Sequence, residues 1–497
     1  MDMKKYLLGI DNGGTVSKAA LFDLQGKQIL QKSVQIPLIT EKEGYTERSM
    51  TDIWNSTAGI ISQVVRECEE YGGEIIAVGL TGHGKGLYLL GDKNEIIYNG
   101  IISTDTRALP YEVLWGENGV AEKAYEKTAQ KVMACQPVSL LRWFKDNNRE
   151  IYDRIKCVLS VKDYIRFCLT DTLNAEYTDV SGTNLVDLKT KEYDDGLLEL
   201  FGIPEIAGKL PPIKSSTDIC GGVTPKAAEK TGLKEGTPVV GGMFDIDACA
   251  VAMGSINVND MCVIAGTWSI NEYVSERIID DGSIAMNSIF ADPKYYLAEE
   301  SSAVSAGNME WFRKIARYNN CSYDELNRLA GSIEPEDCDV YYLPFLYASN
   351  ENPYAKACLI GMSGHHTAAH IVRAIYEGVA FSHLKHINNL LKSREKPRSV
   401  RLAGGVANSD IWTQIFADVL DIDIEIIEDT ELGAKGAAMA AGVAMGIYSD
   451  YADAAAKCVT ISRKVRANKT AVPKYFKKYE KYRKIVDALN EVWNDKD

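Results

Sequence analysis

The run Asp11-Asn12-Gly13-Gly14-Thr15-Val16-Ser17-Lys18 gathers a carboxylate, two adjacent glycines, two hydroxyls and an ammonium in one short stretch. Glycines let a backbone approach an anion closely, and hydroxyls beside exposed N–H groups cradle phosphate. Gly13, Gly14, Thr15, Ser17 and Lys18 are therefore candidates for a phosphate loop. An acid next to such a loop repels phosphate unless a cation lies between them, so Asp11 is best explained as holding Mg2+, directly or through water. Taken alone, the same run also serves as an ordinary hairpin turn that uses Asp for turn chemistry. A second Gly-Thr turn, Gly266-Thr267 ahead of Trp268-Ser269, tips the balance toward phosphate.

Other clusters are weaker individually. Gly241-Gly242-Met243-Phe244-Asp245-Ile246-Asp247 sets two carboxylates just past a strand-like run. A carboxylate there can accept the proton of an attacking hydroxyl. The bland use is a helix N-cap, which is the preferred reading for Asp247. Gly404-Gly405-Val406-Ala407-Asn408-Ser409 offers small residues against which a flat ligand lies, or simply tight strand-to-helix packing. Gly433 to Ala438 has the same character and would close the other side of such a pocket. His366 and His370 stand four apart on an expected helix, but the Glu of H-E-x-x-H is missing and no third ligand suggests itself, so metal binding is set aside. There is no G-x-x-x-x-G-K-[ST], and Leu87 stands where a G-x-G-x-x-G begun at Gly82 needs its last glycine, which excludes P-loop and Rossmann readings.

The elements that must position these residues follow from hydrophobic period. Tyr6 to Ile10 and Lys18 to Asp23 read as strands around a glycine turn, Asp52 to Glu69 as an amphipathic helix, and Ile75 to Leu80 as a short buried strand. Val239 to Phe244, Met261 to Ala265, Ile270 to Val274 and Val400 to Ala403 read as further strands. A Gly-Thr turn joining two strands occurs near the start of each half, which implies a duplicated pair of mixed α/β domains with a boundary near residue 250: 1–250 and 251–497. After Pro473, Tyr475, Tyr479 and Tyr482 share one helical face, which is expected to dock while the lysines face water.

Composition narrows the function. A formal net charge of -14 spread along 497 residues argues against nucleic acid as a partner, since phosphate backbones demand basic faces. The 11 cysteines lack any C-x-x-C pair, as expected of free thiols in a reducing cytoplasm, and no apolar run reaches membrane-span length.

Taken in order, these segments resemble the FGGY carbohydrate kinases of the actin, hexokinase and Hsp70 superfamily. The resemblance runs nearly end to end: DNGGTVSK at 11–18, GYTER at 44–48, STDTRA at 103–108, KDYIRFCLT at 162–170 and YTDVSGTN at 177–184. It continues through GGMFDIDACAVAMG at 241–254, AGTWS at 265–269, HIVRAIYEGVAF at 370–381, GGVANSDIWTQIFAD at 404–418 and GAKGAAMAAG at 433–442. The resemblance implies two RNase H-like domains flanking a deep cleft for ATP and sugar. Carried over by position, it places Asp11 near Mg2+, Gly14, Thr15 and Lys18 in the first phosphate loop, and Gly266 and Thr267 in the second. Gly404, Gly405, Asn408 and Ser409 form the adenosine wall, and Asp245, not Asp247, is the catalytic base. Within the family the chain is most similar to bacterial L-xylulose kinases, including those credited with 3-keto-L-gulonate. His83, Lys85, Asp105 and Arg107 are the candidates to orient sugar hydroxyls. The Gln-Met-His-Gly of D-xylulose kinases and the Arg-Glu of glycerol kinases are both absent at 82–85.

The expected reaction is transfer of the ATP γ-phosphoryl group to a terminal hydroxyl of a small ketose. A sugar-independent actin-like ATPase and a catalytically idle sugar sensor are the competing classes. Expected partners are ATP and a sugar, with a homodimer left open.

Overall fold

The computed structural model describes residues 3–316, 321–350, 352–429 and 431–495. The chain forms two compact units. Unit 1 takes Met1–Val258, Val274–Ala298 and Glu431–Val459; unit 2 takes Asn259–Tyr273, Glu299–Thr430 and Thr460–Asp497.

Unit 1 is built on a mixed sheet. Its strands are β1 (Lys4–Asn12), β2 (Val16–Phe22), β3 (Gln28–Gln35), β4 (Gly73–Gly82), β5 (Ile219–Gly222), β6 (Pro238–Val240) and β7 (Met243–Phe244), in the order β5-β6-β4-β1-β2-β3. β1 and β2 form an antiparallel hairpin, whereas β4 runs parallel to β1, and both β6 and β7 run parallel to β4. The run Val239 to Phe244 reads by pattern as one strand, but it breaks at Gly241-Gly242. Gly242 sits at φ 73°, and a Cβ on it would lie 2.1 Å from the Leu80 carbonyl oxygen. Only glycine tolerates that bend, which re-aims the strand so that Met243 and Phe244 pair with Thr81 and Gly82.

One face of this sheet is covered by helix Met50–Glu70, whose Ile53, Ile61 and Val64 join Leu8, Ile10, Ala19 and Leu21 in a buried cluster. On the other lies the small-residue helix Leu432–Ala444. A Cβ on Gly9 would lie 1.8 Å from the Ala434 carbonyl oxygen, and one on Gly79 1.9 Å from that of Ala437. One on Gly436 would sit 2.0 Å from the carbonyl oxygen of Ala248, in helix Asp245–Ala252. The glycines and alanines at 433–442 are thus used for backbone-to-backbone packing inside unit 1.

Unit 2 repeats the pattern with β8 (Met261–Ala265), β9 (Ser269–Ser275), β10 (Tyr296–Ser302), β11 (Ser399–Ala403), β12 (Asp423–Ile427) and β13 (Ile461–Val465), in the order β10-β9-β8-β11-β12-β13. Again a first antiparallel hairpin, β8–β9, is followed by two parallel neighbours, β11 and β12, and an antiparallel edge, β13. The duplicated architecture implied by the two Gly-Thr turns is present. In helix Val472–Asn494 the tyrosines 475, 479 and 482 are buried around Phe381. Its lysines do not all face water: Lys478 is buried, paired with Glu377 and bonded to the Pro335 carbonyl at 2.9 Å. Among the described residues, no helix is long and apolar enough to cross a membrane.

The close packing of the 432–444 helix makes a sharp prediction. Gly79→Ala should destabilise unit 1 by at least the ~1–3 kcal/mol typical of overpacking, because the atom it meets is backbone. Gly59→Ala, exposed on helix Met50–Glu70 with no atom near its new methyl, should instead stabilise by about 0.5–1 kcal/mol. Thermal unfolding of both variants decides it; equal melting temperatures would refute the contact.

Candidate active site

In unit 1 the carboxyl ends of three adjacent parallel strands carry the candidate chemistry, where α/β sheets generally place their ligands. β1 ends in Asp11-Asn12, β4 in Thr81-Gly82, and β7 leads directly into Asp245. Asp11 pairs with Thr81 in the β1–β4 register and with Lys18 across the β1–β2 hairpin. Gly433 from the small-residue helix comes so close that a Cβ on it would lie 2.7 Å from Asp11 Oδ2. Lys18 is held at 2.8 Å by Glu431, an acid from the far end of the chain that nothing near residues 11–18 announces.

The charge balance here is unusual. Burial pushes the Asp11 carboxyl up to about 6, against the opposing pull of the Lys18 ammonium, and the Glu431 charge adds to the rise. Asp245 is pushed well above the usual carboxylate range, first by burial, then by the charges of Asp11 and Asp179. Asp11 Oδ1 and Thr81 Oγ1 are buried without a hydrogen-bond partner. Oxygen donors left open beside two strained carboxylates fit a hard divalent cation such as Mg2+.

Phe244 is the N-cap of helix Asp245–Ala252, so Asp245 and Asp247 both stand in its first turn; the N-cap role expected of Asp247 is not the one it has. The approach to Asp245 is anchored from outside: the Phe244 N–H donates to Thr178 Oγ1 at 2.7 Å, and Arg166 donates to the Gly241 carbonyl at 2.5 Å.

Gly13, Gly14 and Thr15 form the accessible tip of the β1–β2 hairpin. Below it, Arg48 of the GYTER segment is fully buried and donates to the Gly13 carbonyl at 3.0 Å. Ser17 does not share the loop's face. It pairs with Asn12, whose side chain contacts Thr57 of helix Met50–Glu70, and alternation along β2 puts it with Ala19 and Leu21 in the core. Its hydroxyl cannot face the same side as Asp11 and Lys18, which corrects the expectation that it lines the phosphate loop.

Three of the four sugar candidates are occupied by the protein itself. His83 contacts the Gly84 carbonyl through Nδ1 at 3.2 Å and the Tyr88 hydroxyl through Nε2 at 3.0 Å. Burial and the Arg48 charge lower its pKa to about 3, so it is neutral. Arg107 spends its donors on both Asp105 oxygens, on Glu47 at 2.6 Å and on Tyr98 at 3.3 Å, with its guanidinium 4.0 Å from the Tyr45 ring centroid. Asp105 also accepts the Thr46 N–H at 2.7 Å. The Asp105–Arg107 pair therefore pins the 44–48 segment to the 103–108 segment. Lys85, between Gly84 and Gly86, is partly buried, and its charge opposes the rise at Asp245.

Unit 2 carries its own set. β8 and β11 are parallel neighbours, and their carboxyl ends bear Gly266-Thr267 and Gly404-Gly405. Gly404, at φ 90°, lies so near the first turn that a Cβ on it would meet the Ala265 carbonyl oxygen at 2.5 Å. Thr267, Gly404, Gly405 and Asn408 are exposed. Ser409 is buried and caps helix Asp410–Leu420, accepting the Trp412 N–H at 3.1 Å and donating to Asn327 at 2.7 Å. Elsewhere in unit 2, His366 precedes helix Ala368–Leu390 rather than lying on it; its ring packs 4.9 Å from that of His370, but the side chains grouped with it as possible ligands are Asp339 and His365. These three could group around an ion, but His366 Nδ1 accepts the Ser363 N–H at 2.9 Å. Its proton is then on Nε2, donated to Asp339 at 2.7 Å, so that lone pair is not available to a metal.

The raised Asp11 pKa has a testable consequence for stability. A folded pKa above the unfolded one means the ionised carboxylate costs stability above about pH 6, and the cost fades as pH falls through that value. Asp11→Asn should therefore stabilise the nucleotide-free protein at pH 7.5 by on the order of 1–2 kcal/mol, discounted for partial exposure. The gain should shrink toward pH 4.5; a gain constant with pH, or a loss at pH 7.5, would contradict the strained carboxylate.

Comparison with known proteins agrees with this arrangement. The family model for the N-terminal domain of the FGGY family of carbohydrate kinases matches residues 6–252, and that for the C-terminal domain matches 261–445. The chain is 36% identical over 488 residues to the L-xylulose/3-keto-L-gulonate kinase of Escherichia coli, covering 98% of each chain. It is 38% identical to a probable L-xylulose kinase of Pasteurella multocida, covering 97% of this chain and 99% of that one. Among solved structures, a gluconate kinase from Lactobacillus acidophilus shares the fold with a TM-score of 0.92 at 24% identity, over 98% of both chains. With both domains matched in order and full-length relatives above one-third identity, the chain belongs to the FGGY family of carbohydrate kinases.

Proposed function

We propose that this ATP-dependent sugar kinase phosphorylates a terminal hydroxyl of a ketopentose, L-xylulose before others, with Asp245 as the catalytic base. The observation that carries the role of Asp245 is its position: a strained carboxylate at the end of β7, beside the strand end that bears Asp11. A carboxylate whose proton affinity is raised is better matched to accept a hydroxyl proton than an ordinary aspartate. The named activity of the two relatives supports the choice of sugar.

In this reading the backbone N–H groups of Gly13, Gly14 and Thr15 grip phosphate, as do those of Gly266 and Thr267. Lys18, already balanced by Glu431 and Asp11, fixes the hairpin rather than serving as a free phosphate ligand. Gly404, Gly405 and Asn408 take the adenosine through backbone and amide, and Ser409 contributes by capping the helix behind them. Asp11, with Thr81, would hold Mg2+; the ion, when bound, neutralises charge on the transferring phosphates. Asp105 and Arg107 act by holding the 44–48 and 103–108 segments in place. Eleven free cysteines suit a reducing, cytoplasmic setting.

Coupled ADP release with Mg-ATP should be strong with L-xylulose, weaker with D-xylulose, ribulose, gluconate and glycerol, and near zero without sugar. Equal release in the sugar-free control would mark an ATPase and sink the proposal. Asp245→Asn should reduce turnover by about 10²–10⁴-fold while leaving nucleotide affinity near the wild-type value. In the wild type, kcat/KM should fall as pH drops through an apparent pKa above the ordinary aspartate range. A profile flat down to pH 5 would remove Asp245 as the titrating base.

A further inference from the structure

We infer that His383 is a positioning residue for the second phosphate loop: its buried ring ties down the two segments that flank Thr267 and so sets the grip on the nucleotide's phosphates. The inference rests on the reading of Gly266 and Thr267 as phosphate-binding residues and names what holds them.

Thr267 is the exposed tip of the β8–β9 hairpin. Two residues on, Ser269 opens β9 with its side chain buried. On the other side of Thr267 stands Gly307, the first residue of helix Gly307–Ile315, where a Cβ would lie 3.6 Å from the Thr267 carbonyl oxygen. Ser305 makes the turn into that helix, and its carbonyl accepts the Asn308 N–H at 3.0 Å and the Asn308 side-chain amide at 2.9 Å. The loop therefore has one support on the sheet and another on a helix start.

A single imidazole joins the two supports. His383 comes from helix Ala368–Leu390 and is fully buried, its ring centroid 5.1 Å from that of Phe416. Its Nδ1 lies 2.7 Å from Asn271 Oδ1 and 3.1 Å from Ser269 Oγ, and its Nε2 lies 2.9 Å from Ser305 Oγ. These partners fix the proton. Asn271 spends its amide N–H groups on the main-chain carbonyl of Glu300 and on Ser269 Oγ, each at 3.1 Å, so its Oδ1 accepts and His383 Nδ1 donates. Burial, and then the His386 charge, hold the His383 pKa well below the usual histidine range. The ring is neutral, and Nε2 keeps a lone pair for the Ser305 hydroxyl. A donor on one edge and an acceptor on the other, set in a rigid ring, is what the two supports require. An apolar side chain would fill the same space and supply neither bond.

One turn further along the helix, His386 offers an internal comparison. It contacts Glu300 Oε2 at 2.9 Å and Ser302 Oγ at 3.0 Å, both on β10. The chemistry and the helix are the same, but these partners are not the residues that flank Thr267. If the histidines served packing alone, the two positions would behave alike.

The test is a set of full-length variants assayed by ADP release, with Mg-ATP varied at a saturating level of the sugar turned over fastest, and the converse. For His383→Leu, KM for ATP should rise about 10-fold while KM for the sugar stays at the wild-type value. Loss of folded enzyme lowers apparent kcat and leaves both KM values alone, so destabilisation does not mimic that split. His383→Asn, which keeps a donor near the place of Nδ1, should recover part of the loss. Ser305→Ala should raise KM for ATP by itself and add little to His383→Leu. His386→Leu should lower the melting temperature without raising KM for ATP. An unchanged KM for ATP in His383→Leu would overturn the inference, as would a parallel rise in both KM values or an equal rise in the His386 variant. Thr267→Glu checks the underlying reading, because a carboxylate at the exposed tip should repel phosphate. If that variant keeps its KM for ATP, the loop does not meet phosphate and the reading falls, whatever His383 does.

Discussion

The structure depends on keeping two carboxylates close together at the ends of parallel strands, where burial resists the ionisation of both. Burial raises the cost of ionising both, and the Asp11 charge adds to that of Asp245. Such a pair is unfavourable for the protein alone and becomes favourable when a cation or a transferred proton enters. Much of the surrounding construction can be understood as holding that pair in place. Arg166 and Thr178 grip the backbone just before Asp245, and the β1–β2 hairpin, tied by Lys18 to Glu431, grips it just after Asp11.

The same constraint explains the stripe of small residues at 433–442. Small residues let the helix come close to the acidic strand ends: a Cβ on Gly433 would lie 2.7 Å from Asp11 Oδ2. Further down the helix, Ala434 and Ala437 lie on Gly9 and Gly79, so the contact is made by main chain on both sides. Packing of this kind tolerates little adjustment, because the atoms that would have to move are in the sheet itself. Rigidity there suits a reaction that relies on positioning more than on covalent chemistry.

Polar groups near the site fall into two kinds. Most are spent inside the protein: Arg107 on Asp105, Glu47 and Tyr98, His83 on Tyr88 and Gly84, Ser409 on its helix. These groups are as polar as any ligand-binding residue, yet their role is to fix loops. Others, among them Asp11 Oδ1 and Thr81 Oγ1 at the strand ends, are buried without a hydrogen-bond partner. In a folded protein, where buried polar atoms are nearly always paired, the two open oxygens beside the acidic strand ends suit a bound cation.

The amino-acid sequence by itself determined the elements and their repetition. Period and turn chemistry are local, so the hairpin around Gly13-Gly14, the helix over 52–69, the strand Met261–Ala265 and the duplicated Gly-Thr turn are all legible from short stretches of residues alone. The motifs in their order also carry the family, because each glycine and carboxylate holds its place relative to the strand before it. Only the tertiary structure decided which candidates could act. It turned Ser17 into the core through strand alternation, broke the 239–244 run at Gly242, and brought Glu431 to Lys18 across the chain. It also consumed Asp105 and Arg107 in each other. The physical reason is that a side chain's availability depends on what else is packed around it, and those partners lie tens to hundreds of residues away, beyond the reach of any local pattern.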